Sequence, residues 1–284
     1  MGYKKLSNEQ ELQLVQEYID GAPVKVLMER YGFATKKSIM DKVKKYYPDN
    51  YKELVENAKN NRKGYNYKLE KIENEFDAYY LGLLLTDGYI VEETKVGIDL
   101  IDEDCIQFLS KSIGKQYKSY PQKNHQTKYR LIISDKELVS NLNRLGVVKN
   151  KTYTIKAPQL LKEEEKFIPY ILRGIIDGDG CVSPTSYGGA QFFIVTMSEE
   201  FANWIVDILE NKLYMIDIHK RQTESGIWRI ETSNQYNILK LIALVYNKPF
   251  GMMRKYNKLR KTFRDYNNDA LLDKVDGIVQ TTTN

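Results

Sequence analysis

Apolar positions recur at helical spacing in three short runs near the start of the chain. Leu12, Val15, Tyr18 and Ile19 make the first, and Ser7 or Asn8 stands where a cap is needed. Gly21-Ala22-Pro23 breaks it. Val24 to Tyr31 predicts a second helix that stops at Gly32, and Thr35 can cap a third with Ile39, Val43 and Tyr46 on one face. Residues 48–74 predict a helical fragment and then a polar linker around Gly64. At Phe76 the pattern changes. An apolar helix runs to Thr86 and turns at Asp87-Gly88, and Val96, Ile98 and Leu100 then alternate with Gly97 and Asp99 as in a half-buried strand. Asp102 or Glu103 starts a helix carrying Ile106, Leu109 and Ile113. Tyr129, Leu131 and Ile133 make a second strand, and Asp135 caps a helix that Gly146 stops.

The same order then returns. An apolar run from Phe167 ends at Asp179-Gly180, Gln191 to Thr196 alternates as a strand, and Glu199 to Leu213 predicts a helix. Residues 214–221 and 227–232 predict a hairpin around Ser225-Gly226, and Ile238 to Tyr246 a closing helix ended by Lys248-Pro249. The repetition is visible residue by residue. Gly82, Asp87 and Gly88 coincide with Gly174, Asp179 and Gly180 at one offset of 92 residues, the size of a small domain rather than of a solenoid unit. The reading is therefore an α+β chain of two pseudo-symmetric αββαββα halves, residues 75–150 and 151–266, packed through the repeated helices. A small all-α unit (1–48) and a linker (49–74) precede them, and a polar tail (267–284), expected to fray, follows.

Composition changes this picture little. The 284 residues allow a sizeable core, and 29% charged residues describe an ordinary globular chain rather than a disordered one. A net charge of +5 hints only weakly at a polyanionic partner, but its distribution says more. Residues 35–47 hold five lysines, Lys36, Lys37 and Lys42 among them, against the single acid Asp41, and residues 248–264 hold seven basic residues and no acid. Such faces suit phosphate contacts, and each run alone is equally compatible with a solvated helix face. The lysine-rich third helix resembles the last helix of a helix-turn-helix module, with a plain helical interaction domain as the alternative. Cys105 and Cys181 cannot build a disulfide framework, and with His125 and His219 they match no zinc spacing. No apolar signal core and no membrane-length apolar run is present, so an intracellular protein without a membrane segment is expected.

The repeated helix carries the chemistry. Glycine inside a helix costs roughly 1 kcal/mol against alanine, and close crossing of two backbones at Gly82 and Gly174 supplies a reason for it. Asp87 and Asp179 would then meet at two helix C-termini, where both the helix dipoles and their mutual repulsion disfavour them. A hard divalent cation such as Mg²⁺ would relieve both penalties. A lone Asp-Gly is usually only a turn, and a calcium loop starting at Asp177 fails because Cys181 and Gly188 stand where ligands are needed. The signal is the pair at a fixed offset.

Y-L-G-L-L-L-T-D-G (Tyr80–Gly88) and L-R-G-I-I-D-G-D-G (Leu172–Gly180) resemble the two motif copies of single-chain LAGLIDADG homing endonucleases, over residues 76 to about 264. That resemblance implies a site-specific double-strand DNA endonuclease in which Asp87 and Asp179 hold the metal. It implies further catalytic roles for Lys136 and Gln235, at the start of each half's last helix, and strands lying in major grooves. Lys95, Lys128, Arg130, Gln191, Lys220, Arg221 and Arg229 are the outward residues expected to touch DNA. An intron-encoded or free-standing monomer acting on a long asymmetric target follows, with a non-cleaving regulator or an intron maturase as the alternative. Leu85 departs from the motif where the second copy has Asp177. That position is not a metal ligand, and Asp177 is expected to support the helix interface instead.

Overall fold

The three apolar runs of the N-terminus become α1 (Asn8–Ile19), α2 (Val24–Tyr31) and α3 (Lys36–Tyr46) in a computed structural model that describes residues 6–63, 65–122, 126–186 and 189–264. Gly64, His125, Gly188 and the tail 267–284 lie outside the described residues. Ser7 and Gln10 close a capping box at the head of α1, and Gly32 ends α2 in the left-handed region. The helical fragment expected after residue 48 is a fourth helix, α4 (Tyr51–Lys63). Its Ala58 enters a core with Leu14, Val15, Tyr18, Leu27, Ile39 and Val43, so this segment belongs to the N-terminal unit and does not act as a linker. That unit comprises residues up to 67 together with 113–115, and the rest of the chain forms a second unit.

In the second unit each half follows one plan. The first runs α5 (Glu75–Thr86), β1 (Gly88–Val91), β2 (Lys95–Leu100), α6 (Glu103–Ile113), β3 (Lys118–Pro121), β4 (Thr127–Ser134) and α7 (Lys136–Arg144). The second runs α8 (Ile168–Asp179), β5 (Gly180–Pro184), β6 (Ala190–Thr196), α9 (Glu199–Asp207), β7 (His219–Gln222), β8 (Trp228–Thr232) and α10 (Gln235–Lys240), and α11 (Met253–Arg264) follows. Both sheets are antiparallel and four-stranded among the described residues, in the orders β1-β2-β4-β3 and β5-β6-β8-β7. Their registers correspond: Gly88 faces Ile98, which faces Leu131, as Gly180 faces Ile194, which faces Ile230. Ile98, Leu131, Ile194 and Ile230 are buried, which leaves Asp99, Arg130, Val195 and Arg229 on the opposite faces.

α5 and α8 share the most extensive contact of any two described elements. At Gly82 an added Cβ would overlap the carbonyl oxygen of Ile171 and stand 2.9 Å from the Gly174 Cα. At Gly174 it would stand 2.6 Å from the Leu83 nitrogen and 2.8 Å from the Gly82 Cα. No side chain fits between these backbones. Beside the crossing, Asp177 accepts from Tyr79 Oη (2.8 Å), Tyr246 Oη (2.7 Å) and the Met252 backbone N–H (3.1 Å), and lies 3.3 Å from Arg173 Nε. Asp177 and Arg173 are both buried. The guanidinium also donates to Phe250 O and lies 3.6 Å from the Tyr246 ring centroid, so the buried pair is compensated by a full set of partners.

Candidate active site and nucleic-acid face

Asp87 is the C-cap residue of α5 and Asp179 the last residue of α8, so the helix crossing carries both acids to one place. Gly178 seats against the other helix: an added Cβ there would stand 2.6 Å from Thr86 Cβ and 2.8 Å from Asp87 Oδ2. Surrounding protein holds the Asp87 carboxyl above its usual range, while the charges of Lys255 and Lys151 pull it back. Asp179 is pushed up to about 6, first by the protein around it and then by the Asp87 charge. Its side chain nevertheless stays open to solvent, at the rim of a cavity of about 280 Å³ lined also by Thr86, Lys151, Thr196 and Phe201. Two carboxylates thus share one site, accessible from outside, and the second to ionise resists doing so.

Two lysines that sequence reading did not single out complete the arrangement. Lys151 is buried and donates to the carbonyls of Thr86 (3.0 Å) and Gly88, at the end of α5. Lys255, on α11, donates to the carbonyls of Ile176 (2.9 Å), Asp177, Gly178 (3.2 Å) and Gly180 (2.8 Å), at the end of α8. Each ammonium therefore caps the helix that carries one acid and offsets the negative end of its dipole. Burial lowers the proton affinity of both lysines. They lie 64 residues after Asp87 and 76 after Asp179, so a search at one fixed offset misses the equivalence. Lys255 at least falls inside the acid-free basic run, whereas nothing in the local pattern marks Lys151.

Lys136 and Gln235, expected beside the acids, lie in other surroundings. Lys136 opens α7 and lines a cavity of about 490 Å³ with Ile90, Glu93, Asn143 and Lys149, and its charge is not among those acting on Asp87 or Asp179. The Gln235 carboxamide is spent on the backbone: it accepts from Ala190 N (3.1 Å) and donates to Ala190 O (2.9 Å) and Ser233 O (2.8 Å). Gln235 thus faces its own sheet, and Lys151 and Lys255 are the cations that stand at the two helix ends.

The donor set fits a hard cation. Asp87 and Asp179 offer carboxylate oxygens, and no group of three or more His, Cys, Asp or Glu residues gathers among the described residues. Two carboxylates without a closed protein cage suit Mg²⁺, which keeps several waters and takes phosphate oxygens as its other ligands.

Of the residues expected on nucleic acid, most share the outer sheet faces with an acid. Arg130 donates to Asp99 from Nε (2.8 Å) and Nη2 (2.7 Å), and Lys128 lies 4.0 Å from the same carboxylate. Glu231 accepts from Arg221 Nε (2.8 Å), Arg229 Nε (2.5 Å) and Gln191 Nε2 (3.1 Å). Lys95 pairs with Glu92 at 2.8 Å. Lys220 departs from expectation. It is in register with buried Ile230, so its side chain leaves on the inner side, where it meets Glu199 and Asn203 of α9. In the N-terminal unit Lys36 and Lys37 are exposed at the start of α3, whereas Lys42 is half-buried and bound to Glu11 of α1.

No curated protein matches the sequence. Among solved structures the chain is similar to the meganuclease I-SmaMI bound to uncleaveable DNA, at 12% identity over 76% of this chain and 99% of that one, TM-score 0.45. It is also similar to the I-LtrWI LAGLIDADG homing endonuclease bound to target DNA (12%, 72% and 96%, TM-score 0.43). A third likeness is to full-length DUF199/WhiA from Thermatoga maritima (11%, 76% and 72%, TM-score 0.44). The profile of the LAGLIDADG-like domain matches residues 167–245, which hold α8 and the second sheet, and the first half repeats their order. Over residues 167–245, then, the chain matches the model of the LAGLIDADG-like domain family.

Proposed function

We propose that this protein is a site-specific double-strand DNA endonuclease that hydrolyses phosphodiesters at a long asymmetric target with a hard divalent cation held by Asp87 and Asp179. The observation that carries the reading is the meeting of two mutually repelling carboxylates at twin helix ends, one helix capped by the buried Lys151 and the other by the half-buried Lys255. A bound Mg²⁺ supplies Lewis-acid activation of water and charge neutralisation at the phosphate. The chain's own groups do the rest. Asp87 and Asp179 take up the charge of the bound ion, and Lys151 and Lys255 place positive charge beside the phosphate as its negative charge grows. One P–O ester bond breaks while a water oxygen forms the new one, and the leaving oxygen takes up a proton. One acid from each half gives one chain a near-symmetric centre for two strands, so a monomer suffices. The N-terminal helices, through Lys36 and Lys37, extend the contact along the duplex.

The test is cleavage of a randomised duplex library with and without Mg²⁺ by the wild type, Asp87→Asn and Asp179→Asn. Each variant is expected to lose cutting by about 10³-fold or more while still binding duplex. Equal cutting by the variants would dispose of the metal assignment.

A non-cleaving DNA-binding protein is the second reading. It is favoured by Lys151 and Lys255, whose ammonium groups are already given to backbone carbonyls. Duplex binding that is unaffected by either Asp→Asn change, with no cutting under any divalent cation, selects it.

A further inference from the structure

Asp99 and Glu231 stand where a surface that meets DNA gains nothing from an acid. Both lie on the outer faces of their sheets, one per half, and their side chains are 15% and 14% exposed beneath the cations they gather. Arg130 and Arg229 occupy equivalent registers of the two sheets, each beside the strand that follows its acid-bearing helix by one hairpin. Each is held by a different route: Arg130 across strands by Asp99, Arg229 along its own strand by Glu231. Tyr89 Oη (2.8 Å) steadies Asp99, and Gln191 and Arg221 steady Glu231. Arg229 also lies 3.5 Å from the Phe193 ring centroid.

The edge of the guanidinium that is used matters. All three arginines give Nε to a carboxylate, and Arg130 gives Nη2 as well. What stays available is the terminal edge, the fork that reads O6 and N7 of guanine in a major groove. A phosphate could take the same fork, but its charge would then stand close to the carboxylate already in contact. Resting on the DNA reading above, we infer that Asp99 and Glu231 determine specificity: they fix the arginines for base edges and suppress their capture by the phosphates of non-cognate duplex.

The test measures binding, without divalent cation, of the wild type, Asp99→Asn and Glu231→Gln to two probes over a range of KCl. One probe is a random-sequence duplex pool, the other the duplex that the wild type selects from that pool. Both variants are expected to bind the pool tighter and the selected duplex no tighter, so that the ratio of the two affinities falls by about tenfold. Each released arginine that takes up a phosphate steepens the log–log salt dependence on the pool by about 0.9, hence about one for Asp99→Asn and about two for Glu231→Gln. Parallel weakening on both probes with unchanged slopes would show acids that merely brace the sheets, and would overturn the inference alone. Should either isosteric variant fail to fold, Arg130→Lys and Arg229→Lys decide. They keep the charge and lose the Nε contact, and an unchanged base preference at every position overturns the inference as well. Failure of the wild type to bind duplex at all overturns the DNA reading and takes this inference with it.

Discussion

Asp179 holds its proton to about pH 6, because the protein around it and the Asp87 charge both disfavour ionisation. The sign of the linkage follows. The folded state binds a proton that the unfolded chain has already released, so stability is lost as pH rises from the ordinary aspartate range to about 6. Without divalent cation, thermal melts of the wild type are expected to fall in Tm over that window. Asp179→Asn is expected to flatten this dependence and to melt higher than the wild type at pH 7; an unchanged slope in the variant would place the proton elsewhere. At this scale the sequence exposed both acids through their common offset, and concealed both lysines. A carboxylate at a helix end is recorded in the chain as Asp-Gly. A lysine that caps a distant helix through backbone carbonyls leaves no local mark, because its partners are not side chains. Asp177 shows the converse. Its place at the helix interface was expected, but the Tyr79, Tyr246 and Met252 partners that make its burial tolerable come from distant parts of the chain.

The contact between α5 and α8 depends on two missing side chains. Gly82→Ala or Gly174→Ala would press a methyl group into the main chain of the other helix, where no rotamer change can make room. Each is expected to cost about 3 kcal/mol or more in urea unfolding. Gly226→Ala, in a hairpin turn with open space around the added methyl, is expected to cost about 1 kcal/mol, from its left-handed backbone alone. Equal costs at the three sites would mean that the crossing tolerates separation. Elements with a buried stripe were legible in the sequence, and so were strands with one buried face. The strand expected at Tyr117–Tyr120 is β3, one residue further along, although all four of its residues are exposed and no alternation marks it. The short β1 and β5 hold only four and five residues, too few for a period to show. Lys220 was assigned to the wrong face for a related reason: β7 has four residues, three of them exposed, and its register is set by pairing with β8.

The molecule contains two folding units with separate cores, and they answer differently to acid. In the N-terminal unit Glu11 is 6% exposed and binds Lys42, Lys45 (2.6 Å) and Tyr46 (3.0 Å). Its hydrogen bonds to Lys42 and then Lys45 hold its carboxyl down at about 2. A depressed folded value contributes stability above the ordinary glutamate range, lost as pH falls toward 2. Calorimetry on the full chain is expected to show two transitions, with the N-terminal one falling in Tm between pH 5 and 2.5. Glu11→Gln is expected to start lower at pH 5 and to lack that dependence; a variant that still shows it would move the acid sensitivity to another group. The paired halves were legible as a whole because repetition preserved glycines and acids at one spacing. The extent of the helical unit was not, since α4 is mostly polar and, among the described residues, contributes only Ala58 fully buried to the core.

Direct seating of one main chain on the other at Gly82 and Gly174 leaves no cushion between the halves. Side chains can absorb small misfits by changing rotamer, but peptide planes cannot. The seam therefore behaves like a keyed joint. A half borrowed from another protein of this architecture would engage only if it brought the matching surface of its own helix, and accumulated changes on one side of the joint must be answered on the other.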